Sequence, residues 1–309
     1  MTLAPLFAGV KSRILEHVPL NNRTTWRIGG TARWLATPSN REELAQIWGK
    51  LPADIPRFIL GGGSNILVED CGFSGVAVDL RQQFNKIGQY RKDGETVITA
   101  EAGVSTSSLA HYARQKGLTG AEFLGGIPGT IGGAVRMNAG ANGGDIASIL
   151  LDAQLLDQDG ELHVWPAKKL GLSYRQSKLP KGWIFIKGSF KLKEGDTSII
   201  RERMREFNQQ RRKSQPLNFP SAGSTFKNPA EGPAAWKLIH EAGLRGARVG
   251  DAQVSEKHSN FLINLGQAKS CDMLSLIDHV REQVVKNSGT TLNLEVAILG
   301  NRGFRPAEV

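Results

Sequence analysis

Eight glycines lie within residues 125–144, which read GGIPGTIGGAVRMNAGANGG. A second cluster lies earlier in the chain, in the segment ILGGGSNILV at residues 59–68. Glycine has no Cβ, accepts positive φ and lets backbone N–H groups approach a ligand closely. A compact domain has little reason to order so long a glycine-rich stretch unless it wraps a ligand. The clusters therefore predict a large, phosphate-bearing cofactor held against the main chain, with tight turns and close packing as the alternative.

Neither cluster matches a familiar nucleotide-binding fingerprint. The pattern GxGxxG would need a glycine where the chain has Ile66, and GxxxxGK[ST] is absent. Ser64 and Asn65 instead add a hydroxyl and an amide beside the backbone N–H groups, which suits pyrophosphate binding in a backbone nest. Asn138 has the same potential, although asparagine in a turn is often only a left-handed residue.

Short strands and helices alternate through the first part of the chain. Strands are expected at ARWLAT, RFIL, GVAVDL, TVITAEAG and WIFIKGSFKL, and a hairpin at LLDAQLLDQDGELHVWP turns at Asp159 and Gly160. Ser39 and Glu42 predict a capping box for the helix NREELAQIWGK. The segment STSSLAHYARQKG is a second predicted helix. The strand RFIL runs directly into the first glycine cluster.

The pattern changes after residue 197. A long helix is expected to about Lys213, followed by a turn-rich passage and a helix, AAWKLIHEAG, that begins at Pro233. The strand FLINL, the helix CDMLSLIDHVREQVVKNSG and a final strand, TLNLEVAILG, complete the chain. We divide it into an N-terminal segment 1–20, an α/β domain 21–192 and an α+β domain 193–309.

The composition is typical of a globular protein, and it predicts no membrane-spanning segment. Of 309 residues, 40% are hydrophobic and 22% charged, and no apolar run approaches the ~20 residues that cross a bilayer. The N-terminus lacks the order of charged and apolar residues that marks a signal peptide. Cys71 and Cys271 have no CxxC spacing and are expected to be buried thiols. We expect a cytoplasmic monomer without a metal site.

The net charge of +10 favours binding to anionic partners. Residues 201–213 are the densest basic stretch, but Ile200, Met204 and Phe207 recur at i, i+4 and i+7. This spacing predicts an amphipathic helix with a solvated face. The chain has neither an aromatic-interleaved basic platform nor a helix-turn-helix pattern, so small anions are favoured over nucleic acid or a membrane surface.

Six segments, in order and over nearly the whole chain, resemble the UDP-N-acetylenolpyruvoylglucosamine reductases. They are ILGGGSNILV, LGGIPGTIGGAVRMNAGANGGDI, LSYRQS, SAGSTFKNP, VSEKHSNFLIN and LNLEVAILG. The resemblance implies an α+β fold: a two-part FAD-binding domain of the p-cresol methylhydroxylase and vanillyl-alcohol oxidase type, then a C-terminal substrate-binding domain. It also implies that FAD is bound non-covalently. The residues implied for FAD binding are Gly61, Gly62, Gly63, Ser64, Asn65, Gly125, Gly126, Ile127, Pro128, Gly129, Gly132, Gly133 and Asn138.

The family reduces an enolpyruvyl double bond with NADPH, through FAD, in peptidoglycan synthesis. Negative charge builds on the carboxylate side of the substrate, and a proton must reach the adjacent carbon. The resemblance assigns Arg175 to the carboxylate, Ser224 to proton donation and Glu295 to polarisation of the enolpyruvyl group. Guanidinium suits the first role because it binds a carboxylate through two parallel hydrogen bonds. The residues implied as substrate ligands are Tyr174, Lys213, Lys227 and Asn228.

Each catalytic assignment has an ordinary structural alternative. Arg175 could be a surface ion-pair residue, and Ser224 could be a serine in a turn. Glu295 interrupts a predicted apolar strand, so it lies either on the solvent face or buried with a partner. His258, in SEKHSNF, is expected to have a structural role rather than to be the acid.

The chain departs from many relatives at four positions. They carry an aromatic residue at 136, a tyrosine at 142, a charged residue at 293 and an arginine at 297; this chain has Arg136, Asn142, Asn293 and Ala297. The short passage QPLNFPSAGS resembles the family branch that lacks an extra tyrosine-bearing loop. Two rival functions remain: a flavin oxidase or dehydrogenase acting on an alcohol or phenol, and a basic protein that binds nucleic acid or a membrane surface.

Overall fold

Alternating apolar residues in the first part of the chain form a four-stranded sheet. The computed structural model describes residues 10–301 and 303–306. The strand order of this sheet is Arg13–Pro19, Thr31–Thr37, Phe73–Asp79 and Arg57–Leu60. The first pair is antiparallel and the other two are parallel. The helix Arg41–Lys50 buries Leu44, Ile47 and Trp48, at helical spacing, in the core beneath the sheet.

A five-stranded antiparallel sheet follows. Its order is Leu162–Pro166, Leu150–Leu156, Ile184–Lys191, Glu95–Glu101 and Ile87–Lys92. The helix Thr106–Gln115 begins at Ser105, whose side chain accepts a hydrogen bond from the N–H of Ser108. The predicted glycine-rich loop contains a short helix, Ile131–Arg136, which the sequence pattern did not reveal. Its two glycines lower helix propensity, but Thr130 caps it and buried Ile131, Ala134 and Val135 hold it in the core.

The last part of the chain forms a second unit of helices and strands. Its antiparallel sheet has the order Ser221–Ser224, Phe261–Asn264, Ala252–Val254 and Arg248–Val249. The helices Ala235–Glu241 and Ser270–Ser288 contribute to a core of their own against this sheet. Gly289 ends the long helix in the left-handed conformation, at φ 70°.

The remaining elements are short. A three-stranded sheet has the order Gly303–Arg305, Ala297–Gly300 and Ile66–Val68. Two-stranded pairs are formed by Gly140–Ala141 with Gly144–Asp145 and by Leu118–Thr119 with Lys193–Glu194. The 3₁₀ helices are Asn21–Arg23, Glu122–Gly126, Ile146–Ser148 and Ala167–Leu170. Within the described residues, no helix combines the length and the apolar character needed to cross a membrane.

Two contacts join the beginning and the end of the chain. Ile66–Val68, which follows the first glycine cluster, pairs in parallel with Ala297–Gly300. Trp26 is fully buried, and its Nε1 donates a hydrogen bond to the carbonyl of Leu262 at 2.7 Å. The first glycine cluster is thereby fixed beside the strand Ala297–Gly300, and Trp26 is joined to the sheet that contains Phe261–Asn264.

The predicted boundaries at residues 20 and 192 remain predictions. Residues 1–9 of the predicted N-terminal segment lie outside the described residues, whereas Arg13–Pro19 is a strand of the first sheet. The helix Thr197–Ser214 buries Ile200 and Met204 in the core shared with the first two sheets. This helix therefore packs on the first unit, although the sequence division assigned it to the second.

Most predicted elements are present, but three details were wrong. The helix Arg41–Lys50 is capped by Asn40 rather than Ser39, since Asn40 Oδ1 accepts from the N–H of Glu43 at 2.9 Å. Asparagine caps as well as serine does, and Glu43 is drawn to Ser12 and to the N–H of Ser39. Pro233 precedes the next helix by two residues, because that helix begins at Ala235.

The third wrong detail concerns the predicted final strand TLNLEVAILG. Only Ala297–Gly300 is a regular strand, and the residues before it run as irregular backbone. Leu294 forms a single bridge with Phe226, and the N–H of Glu295 bonds the carbonyl of Thr225 at 2.8 Å. Strand alternation therefore does not decide the direction of Glu295.

Candidate active site

The two glycine clusters lie against each other although they are far apart in sequence. A Cβ on Gly62 would lie 2.6 Å from the Cα of Gly129, and a Cβ on Gly129 would lie 2.8 Å from Ser64 Oγ. Ser64 Oγ also donates a hydrogen bond to the carbonyl of Pro128 at 3.0 Å. Side chains at these glycines would force the loops apart, so their contact requires glycine.

We call the surface formed by residues 61–65 and 125–133 the glycine cradle, and its chemistry fits a phosphate-bearing cofactor. No carbonyl of the described residues accepts a hydrogen bond from the N–H groups of Gly62 or Gly63. Gly63 has φ 62°, in the region that only glycine adopts easily. Successive backbone N–H groups of this kind bind anionic oxygens.

Arg211 adds a positive charge to the cradle, and sequence reasoning missed it. Its Cδ lies 3.7 Å from the position of a Cβ on Gly126, and burial lowers the pKa of its guanidinium. Nε of Arg211 donates to Gln215 Oε1 at 2.8 Å, which fixes the side chain. The only sequence signal was its place in the basic stretch of residues 201–213.

Arg175 lies in a tight turn between two mutual backbone hydrogen bonds. The N–H groups of Ser173 and Gln176 each donate to the other residue's carbonyl at 3.1 Å. Arg175 adopts φ 56°, which is uncommon for a residue with a side chain and marks a constrained position. Its Nη2 also donates to the carbonyl of Gly140 at 3.4 Å, so the turn rests on the glycine-rich segment.

Glu295 is largely shielded from solvent and has a charged partner, so it does not lie on a solvent face. Arg175 Nε donates to Glu295 Oε1 at 2.5 Å, and the side chains are 21% and 14% exposed. Burial raises the pKa of the Glu295 carboxyl above its ordinary value, against the opposing charges of Arg175 and Lys227. The Arg175 guanidinium and the Glu295 carboxyl, whose pKa is raised, are therefore in direct contact.

Ser224 reaches the same region from the C-terminal sheet. It ends the strand Ser221–Ser224 and pairs with Phe261, next to a bulge at Gly223. Gly223 has φ 78°, and a Cβ there would meet no atom within 4 Å. The carbonyl of Thr225, one residue on, accepts the N–H of Glu295. Ser224 and Glu295 therefore lie on adjacent backbone segments.

The four predicted substrate ligands are placed differently from one another. Tyr174 Oη accepts a hydrogen bond from the N–H of Asn228 at 3.4 Å. Lys227 is buried, and its charge acts on Glu295. Asn228 Oδ1 accepts from the N–H of Ala235 at 3.0 Å, at the start of a helix. Lys213 is exposed on the last turn of Thr197–Ser214.

Two asparagines predicted to contact the cofactor form hydrogen bonds to the segments that carry Glu295 and Arg175. Asn65 Nδ2 donates to the carbonyl of Glu295 at 3.0 Å. Asn138 is buried at φ 40°, and its Nδ2 donates to Ser173 O at 3.0 Å and to Asp145 Oδ2 at 3.2 Å. With the N–H of Ala147 bonded to Asn138 Oδ1, this side chain is engaged within the protein.

The positions that differ from many relatives have structural partners. Arg136 Nη1 donates to the carbonyl of Leu179 at 3.0 Å, and burial lowers the pKa of this guanidinium. Asn142 has φ 53° in the turn between two short strands. The carbonyl of Asn293 accepts the N–H of Lys227, and Ala297 pairs with Ile66. Asn293 and Ala297 therefore make backbone contacts, whereas Arg136 uses its side chain.

The expectation of buried thiols was wrong, since Cys71 and Cys271 are both exposed. Cys71 lies in a surface turn, and Cys271 lies in the first turn of a helix whose buried face begins at Ser270 and Met273. His258 packs edge-on against Phe261, and burial lowers its pKa. Within residues 10–301 and 303–306, no three His, Cys, Asp or Glu side chains form a metal-binding group.

Comparison with known proteins assigns both parts of the chain. The model of the UDP-N-acetylenolpyruvoylglucosamine reductase C-terminal domain matches residues 215–299, and that of an FAD binding domain matches residues 32–165. The UDP-N-acetylenolpyruvoylglucosamine reductase of Magnetococcus marinus is 54% identical, and the match covers 94% of each chain. The enzyme of Gluconobacter oxydans is 42% identical, over 95% of this chain and 94% of its own.

A solved structure agrees with these matches. UDP-N-acetylenolpyruvylglucosamine reductase from Thermus caldophilus superposes with a TM-score of 0.79 at 38% identity, covering 93% of this chain and 98% of its own. The predicted combination of an FAD-binding domain with a C-terminal domain in an α+β fold is thereby confirmed. The chain belongs to the UDP-N-acetylenolpyruvoylglucosamine reductase family.

Proposed function

We propose that the protein reduces UDP-N-acetylenolpyruvoylglucosamine to UDP-N-acetylmuramate, with NADPH as reductant and FAD as bound cofactor, for peptidoglycan synthesis. The observation that carries the proposal is the convergence of Arg175, Glu295 and the Ser224 segment beside the glycine cradle. A backbone surface suited to anions thus lies next to a partly buried cation and a hydroxyl, in a chain of this family.

The glycine cradle would hold the FAD pyrophosphate through N–H groups that no carbonyl of the described residues engages, such as those of Gly62 and Gly63, with Arg211 as a nearby cation. When bound, FAD supplies hydride transfer from NADPH to the terminal vinyl carbon of the substrate. NADPH is oxidised, and a proton must be added to the neighbouring carbon to complete reduction of the double bond. The residues of the chain then have three tasks: to bind the carboxylate, to hold the double bond and to deliver that proton.

Arg175 would bind the enolpyruvyl carboxylate. Its Nε is engaged by Glu295, while the remaining guanidinium N–H groups can bond to carboxylate oxygens, as the fork geometry allows. Negative charge spreads onto this carboxylate as hydride reaches the vinyl carbon. A fixed cation in a partly buried site stabilises that charge without reorganisation.

Ser224 would donate the proton. A serine hydroxyl is a weak acid, so the donation depends on close positioning and on nearby positive charge. The open backbone at Gly223 leaves room for the substrate beside Ser224. Lys227, buried three residues along the chain, would stabilise the resulting alkoxide until solvent returns the proton.

Glu295 would polarise the enolpyruvyl group and hold Arg175 in place. Its raised pKa follows from burial and makes the carboxyl responsive to the charge of the bound substrate. Tyr174, Asn228 and the exposed Lys213 would bind the UDP-sugar further out, where a diphosphate meets solvent. The short passage before Ser224 is consistent with the branch without the extra tyrosine loop.

An anaerobic absorbance titration tests the proposal. The purified protein should be yellow, and NADPH should bleach the flavin. The enolpyruvyl UDP-sugar should then restore the colour with formation of UDP-N-acetylmuramate. A bleached flavin that an alcohol-derived or phenol-derived oxidation product reoxidises, but the enolpyruvyl sugar does not, would favour the rival oxidase function. A flavin that stays attached after denaturation would also contradict the proposal.

We also propose that the enzyme is a monomer in the cytoplasm. NADPH and UDP-sugars are cytoplasmic metabolites, and the cradle and catalytic residues all come from one chain. Light scattering during gel filtration should give a mass near that of one 33.5 kDa chain with its FAD. A mass twice as large would contradict the monomer.

A further inference from the structure

A groove of about 390 Å³ runs between the helices Thr106–Gln115 and Thr197–Ser214, and four arginines line it. Arg114 comes from the first helix, and Arg201, Arg205 and Arg212 come from the second. The sequence alone predicted that the second helix presents a solvated basic face. The first helix adds a second wall and an arginine of its own, which turns this face into a groove.

The spacing of the arginines explains why they converge. Arg201, Arg205 and Arg212 recur at i, i+4 and i+11, which places them on one face of the helix. Eleven residues at 1.5 Å rise extend the row over ~16 Å. Met204, which is buried, lies between the two walls as part of the lining. The groove is thus a row of guanidinium groups beside a packed apolar side chain.

These arginines are poorly neutralised by the protein. None of the described lining residues carries a carboxylate. Arg205 lies 3.8 Å from Glu202 in an exposed pair, which contributes little. Within the described residues, Arg114, Arg201 and Arg212 have no carboxylate within ion-pair distance. Clustered like charges are unfavourable, so the groove favours an anion from outside the chain.

Arg201, Arg205 and Arg212 lie on another face of the helix from Arg211, although Met204 of the groove lining also packs against Gly125 of the glycine cradle. Arg211 approaches Gly126 in the glycine cradle, whereas Arg212 and Arg201 line the groove. Successive helical residues are ~100° apart around the axis, which separates these directions. An anion in the groove therefore need not compete with FAD.

We propose that this groove binds a small polyanion that carries two or more phosphate groups in a row. Guanidinium forks bind phosphate oxygens through paired hydrogen bonds, and a row of them matches a phosphate chain. The volume lies in the range of small-molecule sites. No Phe, Tyr or Trp is among the lining residues, so the groove lacks the stacking platform that single-stranded nucleic acid requires. Free oligophosphate and the phosphate chain of a nucleotide share this chemistry.

Isothermal titration of the FAD-loaded enzyme with inorganic tripolyphosphate, at saturating UDP-N-acetylmuramate, tests the proposal. The ligand should bind one to one, and the double variant Arg114→Gln with Arg201→Gln should weaken binding at least tenfold. The matched control, Arg41→Gln with Arg91→Gln, removes the same charge from exposed positions outside the groove and should change binding less than twofold. A parallel titration with ATP shows whether a nucleoside strengthens binding.

Three results would overturn the proposal. The first is no binding of either tripolyphosphate or ATP. The second is equal weakening in both double variants, which would indicate attraction by net charge alone. The third is binding only to phosphatidylglycerol vesicles or to single-stranded DNA, which would assign the basic face to a membrane surface or a nucleic acid. Circular dichroism and FAD content of the variants verify that they remain folded and loaded.

Discussion

The glycine cradle and the Arg175–Glu295–Ser224 cluster are built by opposite means. In the cradle, two backbones touch because residues such as Gly62 and Gly129 have no side chains. In the cluster, side chains from distant segments meet, and Arg175 Nε lies 2.5 Å from Glu295 Oε1. The cradle depends on the absence of side chains at its glycines, whereas the cluster depends on the charged and polar side chains of its residues.

Asn65 connects the cradle to the cluster, and Asn138, which follows the cradle in the glycine-rich segment, supports the turn that carries Arg175. Asn65 bonds the carbonyl of Glu295, and Asn138 bonds the carbonyl of Ser173 in the turn that carries Arg175. The proposed cofactor site and the proposed catalytic residues are therefore joined by hydrogen bonds although they consist of different residues. The following changes should separate or couple the two functions, and they are ordered by expected effect.

Ser224→Ala should have the largest effect, and only on the cluster. Loss of a positioned proton donor should slow reduction of the enolpyruvyl sugar ~10²–10⁴-fold. Flavin reduction by NADPH should keep its normal rate, because the cradle is unchanged. Anaerobic stopped-flow absorbance measures the two half-reactions separately. Ser221→Ala, in the same strand, is the control. Normal turnover of Ser224→Ala would exclude this serine as the donor.

Gly62→Ala should instead damage the cradle. The new Cβ would lie 2.6 Å from the Cα of Gly129, and backbone cannot yield as a flexible side chain does. Overpacking of this kind costs ~1–3 kcal/mol, and FAD affinity should fall about tenfold or more. Fluorescence of released FAD and thermal unfolding of the apoprotein measure the two effects.

Gly133→Ala is the matched control for stability of the apoprotein. A Cβ there would have its nearest neighbour, Thr130 Oγ1, at 3.8 Å. Apoprotein stability should therefore not fall in this variant, and it should rise by up to ~1 kcal/mol because alanine favours the helix Ile131–Arg136 more than glycine does. If Gly62→Ala left both FAD affinity and unfolding temperature unchanged, the requirement for glycine in the loop contact would be disproved.

Glu295→Gln should alter the cluster and its dependence on pH. Burial raises the folded-state pKa of Glu295, so the folded protein takes up a proton at higher pH than the unfolded chain. This carboxyl therefore makes the fold more stable as pH falls through the folded-state pKa toward the ordinary value of 4.5. Urea unfolding of both proteins from pH 8 to pH 4.5 should show wild type gaining stability relative to the variant as pH falls.

The activity of Glu295→Gln should fall about tenfold, or ~1.4 kcal/mol in the barrier, because Arg175 loses its charged partner. FAD content should not change. A stability difference that runs in the opposite direction with pH would show that the ion pair with Arg175, rather than burial, dominates the titration of Glu295.

Asn138→Gly should have the smallest effect and tests the link between the regions. Glycine keeps the φ of 40° but removes the hydrogen bonds to Ser173, Asp145 and Ala147. The free energy of unfolding should fall by ~1–3 kcal/mol, and the KM for the UDP-sugar should rise several-fold because the Arg175 turn loses support. If the variant instead lost FAD affinity while the KM stayed unchanged, the result would indicate that Asn138 contacts the cofactor directly.

Much of the fold was predictable because its signals are local. The strands around residues 31–37, 57–60 and 184–191, and the two longest helices, follow apolar periodicity and ended near the expected residues. The helix is capped by Asn40 rather than by Ser39, and the Glu43 carboxylate contacts Ser12, which lies in a distant segment. The pattern of apolar residues along the chain cannot reveal contacts between residues that are distant in sequence.

The candidate site was predictable only in part. Motifs pointed to Arg175, Ser224 and Glu295 one by one, but alternation left Glu295 undecided because its segment is not a regular strand. Nothing in the sequence distinguished Arg211 from the other basic residues of the stretch 201–213. Cys71 and Cys271 were expected to be buried, but both are exposed. Cys71 lies in a surface turn and Cys271 on the outer side of a helix.

By itself, the sequence determined, through the order of six motifs, which family the chain belongs to, and it predicted that a glycine-rich backbone binds a phosphate-bearing cofactor. Both follow from local properties: the conformational freedom of glycine and the identity of neighbouring residues. The tertiary structure alone decided that the two glycine clusters touch, that Asn65 and Asn138 support the catalytic residues, and that four arginines border one groove. These facts join residues far apart in the chain, and only packing of the folded backbone sets the distances between them.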